Sequence, residues 1–151
     1  MPLELIEHPE GGRFCEVFRS SVRVHTPGSA QRCALTHIYF ALEAHEHSAF
    51  HRVSSDEVWN LYRGVLRLHR WDGAQQEPQT ITLDPAQECF CAVVPGGWWQ
   101  AAEPLDGPVL VGCSVAPGFE FADFELLRRD QPTAQDLLAR RSQLAHLLID
   151  A

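Results

Sequence analysis

His51 and Glu57 are the two side chains of this sequence best equipped for chemistry: an imidazole that titrates near neutrality and a carboxylate close enough in the chain to orient it. Together they offer proton abstraction beside a carbonyl, with His51 as base and Glu57 orienting it and favouring its protonated form. Tyr39 adds a hydroxyl that would act as acid partner, and Tyr39 or Gln100 would contact the oxygen that gains charge. The same imidazole and carboxylate are also good ligands for a divalent transition metal, to which the Gln100 amide would add a weak third. Phe14, Tyr39, Trp59 and Trp98 or Trp99 would wall an apolar pocket around them, the usual make-up of a small-molecule site.

The stretch that carries the pair, SAFHRVSSDEVWNLYRG (Ser48 to Gly64), alternates in two short bursts about the polar turn Ser54-Ser55-Asp56. Successive strand side chains point to opposite faces, so His51 shares a face with Val53, and Glu57 shares one with Trp59 and Leu61. Pairing of the two bursts would bring His51 and Glu57 together inside. Gly64, with its relaxed backbone limits, allows a tight turn into a next strand, Val65 to Trp71. His45 and His47 form a His-x-His pair, but an extended segment puts His47 about 13 Å from His51 at ~3.3 Å per residue, which assigns them to a solvated loop.

Elsewhere, EHPEGG reads as a turn, followed by a strand from Arg13 to Ser20 in which neither face is cleanly polar. Such a strand is buried on both sides or exchanged with a partner subunit. HTPGSAQ (25–31) is loop chemistry, and a long apolar strand runs from Cys33 to Leu42, with His37 and Tyr39 on one face. Asp72-Gly73 signals a hairpin connection, and strands recur at Thr80 to Leu83, Cys89 to Val94, Trp98 to Ala102 and Val109 to Ala116. Many short strands punctuated by Gly, Pro and Asp predict an all-β sandwich or barrel, about 8–127. Asp123 and Glu125 are expected to close its mouth or cap a turn. Leucines at helical spacing predict one amphipathic helix over about 133–149, with Thr133 as N-cap and Asp136 three residues on.

At 151 residues and 45% hydrophobic composition the chain is one domain with a sizeable core. A formal net charge of -8 excludes nucleic acid and anionic membrane surfaces as main partners, since both need a clustered basic field. Without an export signal or a membrane span in its pattern, the chain is expected to be cytoplasmic. Five cysteines in that setting predict no disulfide framework. Cys89 and Cys91 share a face and permit a thiol pair, although small buried thiols are the simpler reading.

The residues now resemble a known superfamily. His51-x-Val53-x3-Glu57-x6-Gly64 resembles the first cupin motif and Pro95-x-Gly97-x2-Gln100 the second, with Val53 and Gln100 standing where two imidazole ligands are usual. HPEGGRFCEVFRS, SAFHRVSSDEVW, VVPGGWWQAA and VGCSVAPGFEFADFEL resemble, in order from His8 to about Leu127, the cupin-5 branch, whose domain has no assigned function. The resemblance implies a double-stranded β-helix, the cupin jelly roll, with a homodimer formed through sheet edges and N-terminal strands.

A looser similarity links the chain to the dTDP-4-dehydrorhamnose 3,5-epimerases. Gly12-x-Phe14-x-Glu16-x-Phe18 and Ser48-Ala49-Phe50-His51 match their strand and catalytic blocks, with Ser48 replacing an arginine that grips nucleotide phosphate. It implies a metal-free site: His51, Glu57 and Tyr39 catalytic, and Phe14, Glu16, Ser48, Trp59, Trp99 and Gln100 around the substrate. The expected function is isomerisation or epimerisation of a small carbonyl or sugar-like compound with no obligatory cofactor. A non-catalytic small-molecule sensor is the first alternative. A metal-dependent oxygenase or decarboxylase with His51, Glu57 and Gln100 as ligands is the second.

Overall fold

Alternation decides which side chains enter the barrel. In the strand Asp56–Arg63, Glu57, Trp59 and Leu61 are buried while their neighbours are not, as expected where one face of a sheet meets a core. A computed structural model describes residues 3–28 and 31–150. In chain order its strands are β1 (Ile6–Glu7), β2 (Arg13–Arg19), β3 (Arg23–His25), β4 (Gln31–Cys33), β5 (Thr36–Leu42), β6 (Ser48–Arg52), β7 (Asp56–Arg63), β8 (Leu66–Trp71), β9 (Gln79–Leu83), β10 (Cys91–Val94), β11 (Trp99–Pro104), β12 (Val109–Ala116) and β13 (Glu125–Leu126). One helix, α1 (Pro132–Arg140), follows.

Six strands form one sheet in the order β1-β2-β5-β12-β7-β10, and five form the other, β13-β6-β11-β8-β9. All the ladders within these two sheets are antiparallel. The result is an all-β jelly roll. Between the sheets, Phe40, Leu42, Trp59, Leu66, Leu68 and Val111 make the core; burying each such side chain stabilises the fold by about 1.5–3 kcal/mol.

The two bursts around Ser54-Ser55 do not pair with each other. β6 pairs with β11 and β13, whereas β7 pairs with β12 and β10. The chain crosses from one sheet to the other between them, so His51 and Glu57 reach the interior from opposite walls. Gly64 does serve its turn: at φ +88, an added Cβ would lie 2.5 Å from the Pro108 carbonyl oxygen.

The long strand expected from Cys33 to Leu42 is divided between β4 and β5, and β4 pairs with β3 in a small separate hairpin. Of the loop expected over 25–31, positions 29 and 30 lie outside the described residues, while His25 and Gln31 are the paired strand ends.

The C-terminal helix is shorter than its leucine spacing predicts. It starts at Pro132, with Gln131 rather than Thr133 at the cap position, and stops at Arg141, whose φ of -145 and ψ of 81 are not helical. A 3-10 segment, Ser142–Leu147, continues the chain. Leu137, Leu144 and Leu147 from this arm cover Phe50, Trp71 and Trp99 on the outer face of the five-stranded sheet. Glu103 fastens the arm: its carboxylate lies 3.0 Å from Nε2 of His146 and 2.8 Å from Nε2 of His69.

Candidate active site

The first turn of the chain does more than punctuate. His8-Pro9-Glu10-Gly11-Gly12 closes on itself through Gly11 N–H to the His8 carbonyl and His8 N–H to the Gly12 carbonyl. Gly11 sits at φ +108, and a Cβ there would fall 2.1 Å from the His47 carbonyl oxygen, so only glycine fits. The turn is pinned to β6 by the Ala49 N–H, which donates to the Glu10 carbonyl at 2.7 Å. This geometry drives the Glu10 side chain into the barrel.

There Glu10 meets His51. Its Oε2 lies 2.6 Å from His51 Nδ1 and accepts a hydrogen bond of 2.6 Å from the Ser48 hydroxyl. His51 Nδ1 also approaches the Ala49 carbonyl at 2.8 Å. Two acceptors converge on Nδ1, which therefore carries a proton in either charge state. Nε2 has no partner among the described residues and is the nitrogen available to the cavity that His51 lines.

Burial alone would push the His51 pKa down, but the Glu10 charge and hydrogen bond, with help from Glu57, hold it above its ordinary value. Burial alone would likewise raise Glu10, yet the imidazolium beside it keeps that carboxylate below its ordinary range. Both shifts favour the charged forms, so mutual charge and the Ser48 hydroxyl bias the pair toward imidazolium and carboxylate.

Glu57 is different. Burial raises its carboxyl to about 7, against the pull of the His51 charge and of a hydrogen bond from Gln100. Gln100 Nε2 donates to Glu57 Oε1 at 3.0 Å, and Gln100 Oε1 accepts from the Trp59 indole at 2.6 Å. No ion pair joins Glu57 to His51 among the described residues, although each charge acts on the other.

The cavity around these groups holds about 230 Å³. Phe14, Ile38 and Val115 line it from the strands and Val53 from the connection between β6 and β7. Phe119, Phe121 and Phe124 close it from the segment after β12, and Phe124 stacks on His51 with ring centroids 5.5 Å apart. Arg32, buried beneath that segment, holds it through Asp123 and the Gly118 carbonyl. Asp123 thus secures the mouth, while Glu125 pairs with Arg52 at 2.8 Å.

Of the side chains singled out by sequence, His51, Glu57, Phe14 and Glu16 line the cavity. Tyr39 does not. It shares the outer face of β5 with His37, packing against Tyr62 at 5.6 Å, because Phe40 and Leu42 take the inward positions of that strand. Trp59 is core and its indole holds Gln100; Trp99 lies beneath the C-terminal arm with Arg52 over its ring at 4.5 Å. Ser48 orients Glu10 instead of facing a ligand. His47 stands against His146, outside the cavity.

Glu10, His8, Arg19 and the three phenylalanines of the closing segment were not singled out by sequence reasoning. The signal for Glu10 was present: an acidic residue inside a Pro-Gly-Gly turn has little reason to be buried unless a cation waits for it.

The donor set does not suit a resident transition metal. Both ends of the Gln100 amide are committed, Nδ1 of His51 belongs to Glu10, and Val53 has no donor atom. Two ligands remain, His51 Nε2 and Glu57, where tight sites use three or more. Among the described residues no group of three or more His, Cys, Asp or Glu is arranged to hold a metal ion.

Two antiparallel sheets closed face to face into a jelly roll are the architecture of the cupins. The sequence profile described as Cupin superfamily (DUF985) matches residues 1–127, and the chain belongs to that family. It is similar to a hypothetical protein from Leishmania major, with 29% identity over 97% of this chain and 94% of the other and a TM-score of 0.84. A protein from Shewanella oneidensis is 32% identical over 97% and 92% of the two chains, TM-score 0.76. A cupin 2 conserved barrel domain protein from Rhodopseudomonas palustris shares the fold at 11% identity, covering 98% and 88%, TM-score 0.60. No curated protein matches the chain. None of the described helices is long and apolar enough to cross a membrane.

Proposed function

We propose that the chain is a proton-transfer enzyme, an isomerase or epimerase acting on a small carbonyl compound held in the barrel cavity. The observation that carries this reading is the 2.6 Å contact between buried Glu10 and Nδ1 of His51, which turns Nε2 toward a cavity also lined by Glu57. An imidazolium and a carboxyl with a pKa of about 7 are matched acid and base for work at neutral pH.

The roles follow from the charges and differ from the sequence expectation. Ionised Glu57 takes the proton from the carbon beside the carbonyl, and the electron pair of that bond moves onto the carbonyl oxygen. His51 Nε2 hydrogen-bonds that oxygen and gives it a proton, forming the enol. Where the neighbouring carbon bears a hydroxyl, His51 Nε2 then takes that hydroxyl's proton while Glu57 returns its proton to the former carbonyl carbon, which moves the carbonyl by one position. Reprotonation from solvent on the opposite face of the original carbon, with the enol proton returning to His51, epimerises the compound. All twelve Lys and Arg positions of the chain are arginine, so no lysine amine is available for iminium catalysis and acid–base chemistry must suffice.

Small ketones with and without an α-hydroxyl, incubated with the protein in heavy water, test this reading, with α-deuterium read by mass spectrometry. Wild type is expected to exchange, and His51→Gln and Glu57→Gln to lose about 100-fold or more in rate. If wild type binds a compound without exchange, and both variants bind it equally well, a non-catalytic sensor replaces the enzyme.

A further inference from the structure

Resting on that proton-transfer reading, we infer that the substrate is uncharged, with a compact apolar body and a carbonyl oxygen as its polar head. Every cation that lines the cavity already has a carboxylate. His51 is held by Glu10 at 2.6 Å. Arg19, the one arginine among the described lining residues, is held by Glu16 at 2.8 Å and also donates to the Phe119 carbonyl at 3.2 Å. Glu57 and Glu120, the other carboxylates of the lining, form no ion pair among the described residues but lie in the fields of His51 and Arg19, and burial keeps Glu57 partly protonated near neutral pH. An acid or a phosphate ester would therefore bring its charge to carboxylates and find no free cation.

Polyhydroxylated compounds fare little better. Each buried hydroxyl needs a partner or loses its hydration without return. Thr36 Oγ1 already accepts from the Phe119 N–H at 3.0 Å, and Ser48 is committed to Glu10. At the inner end His51 Nε2, the Glu57 carboxyl and the His8 ring, whose Nδ1 accepts from the Glu10 N–H, are left, enough for one carbonyl, the carbon beside it and little more. Apart from the Glu16–Arg19 pair and Glu120, the remaining wall is phenyl and aliphatic, suited to a hydrocarbon ring or short branched chain lying against Phe124 and Phe14.

Five probes separate the possibilities by ligand-observed NMR on the full-length protein: cyclohexanone, 3-oxocyclohexanecarboxylate, cyclohexylammonium, dihydroxyacetone and dihydroxyacetone phosphate. Cyclohexanone is expected to bind best, about tenfold or more tighter than its carboxylate analogue. That gap should narrow in the double variant Glu16→Gln/Glu120→Gln. His51→Gln should weaken cyclohexanone binding while leaving the fold intact by circular dichroism.

Tighter binding of either anion, of the ammonium ion or of dihydroxyacetone overturns the inference, as does absence of cyclohexanone binding at millimolar concentration. The α-protons of bound cyclohexanone report separately on chemistry. Selective binding without deuterium exchange into them would count against the proton-transfer reading and leave the selectivity for an uncharged, apolar ligand standing.

Discussion

The Glu10 carboxylate and the His51 imidazole meet at 2.6 Å although one comes from a turn ahead of the barrel and the other from a strand inside it. Both are buried, and the other Glu10 oxygen lies 3.3 Å from Nδ1 of His8. Glu10→Gln removes the charge while keeping an oxygen for Ser48. The His51 pKa, followed by NMR of its ring protons, should fall relative to wild type, since burial then acts without its counter-ion. An unchanged titration would show that the pair is not coupled.

Glu57 should leave a signature in stability against pH. Its folded pKa is raised from 4.5 to about 7, so the native state binds its proton more tightly than the unfolded chain does. That contribution is complete below pH 4.5 and is lost as pH rises through 7, in total about 3 kcal/mol at ~1.4 kcal/mol per pKa unit. Glu57→Gln, which still accepts from Gln100, should therefore gain on wild type in chemical denaturation as pH rises from 5 to 9. Parallel curves for the two proteins would contradict the raised pKa.

Gly11→Ala should destabilise the protein by about 1–3 kcal/mol from backbone strain alone, with a further cost from the collision with the His47 carbonyl. Thermal unfolding measures the loss. The same variant should lower the His51 pKa by withdrawing Glu10, an effect that a purely structural turn would not produce.

β1 covers only the start of β2, pairing Ile6 with Phe14 and Glu7 with Arg13. Val17 and Phe18 beyond it are 45% and 50% exposed, next to a register shift at Glu16/Phe18. A homodimer is expected through this open edge, and light scattering should give twice the chain mass. Val17→Lys should return it to the monomer mass. A wild-type monomer at micromolar concentration ends the proposal.

Elemental analysis of untagged protein is expected to find less than stoichiometric transition metal, because of His51, Glu57 and Gln100 only His51 Nε2 and Glu57 keep a donor atom for a metal. A stoichiometric metal lost in Glu57→Ala would overturn that reading and redirect the chemistry to metal catalysis.

Strand positions and the barrel were legible in the sequence because period-two burial repeats along β7 and β12 and because Gly and Pro mark the turns. His51 and Glu57 could be read as interior for the same reason. Their true partners could not. Strand parity gives a face only once the inward side is known, and in β5 both sets are partly apolar, so Tyr39 looked as eligible as Phe40. Glu10 lies in a loop, where no periodicity applies, and reaches the site through a contact across the fold. The sheet crossing between β6 and β7 was hidden too, since a short polar turn between two strand bursts also describes a hairpin.

The Gly11 turn has an evolutionary consequence. The barrel wall supplies the imidazole, but its counter-ion arrives on a short hinge at the margin of the domain. Substitutions in that hinge can retune the acidity of the site, or abolish it, while every strand and the whole apolar interior remain untouched. Descendants of one barrel can thus drift between reactive and merely receptive cavities through changes of one or two residues near the start of the chain.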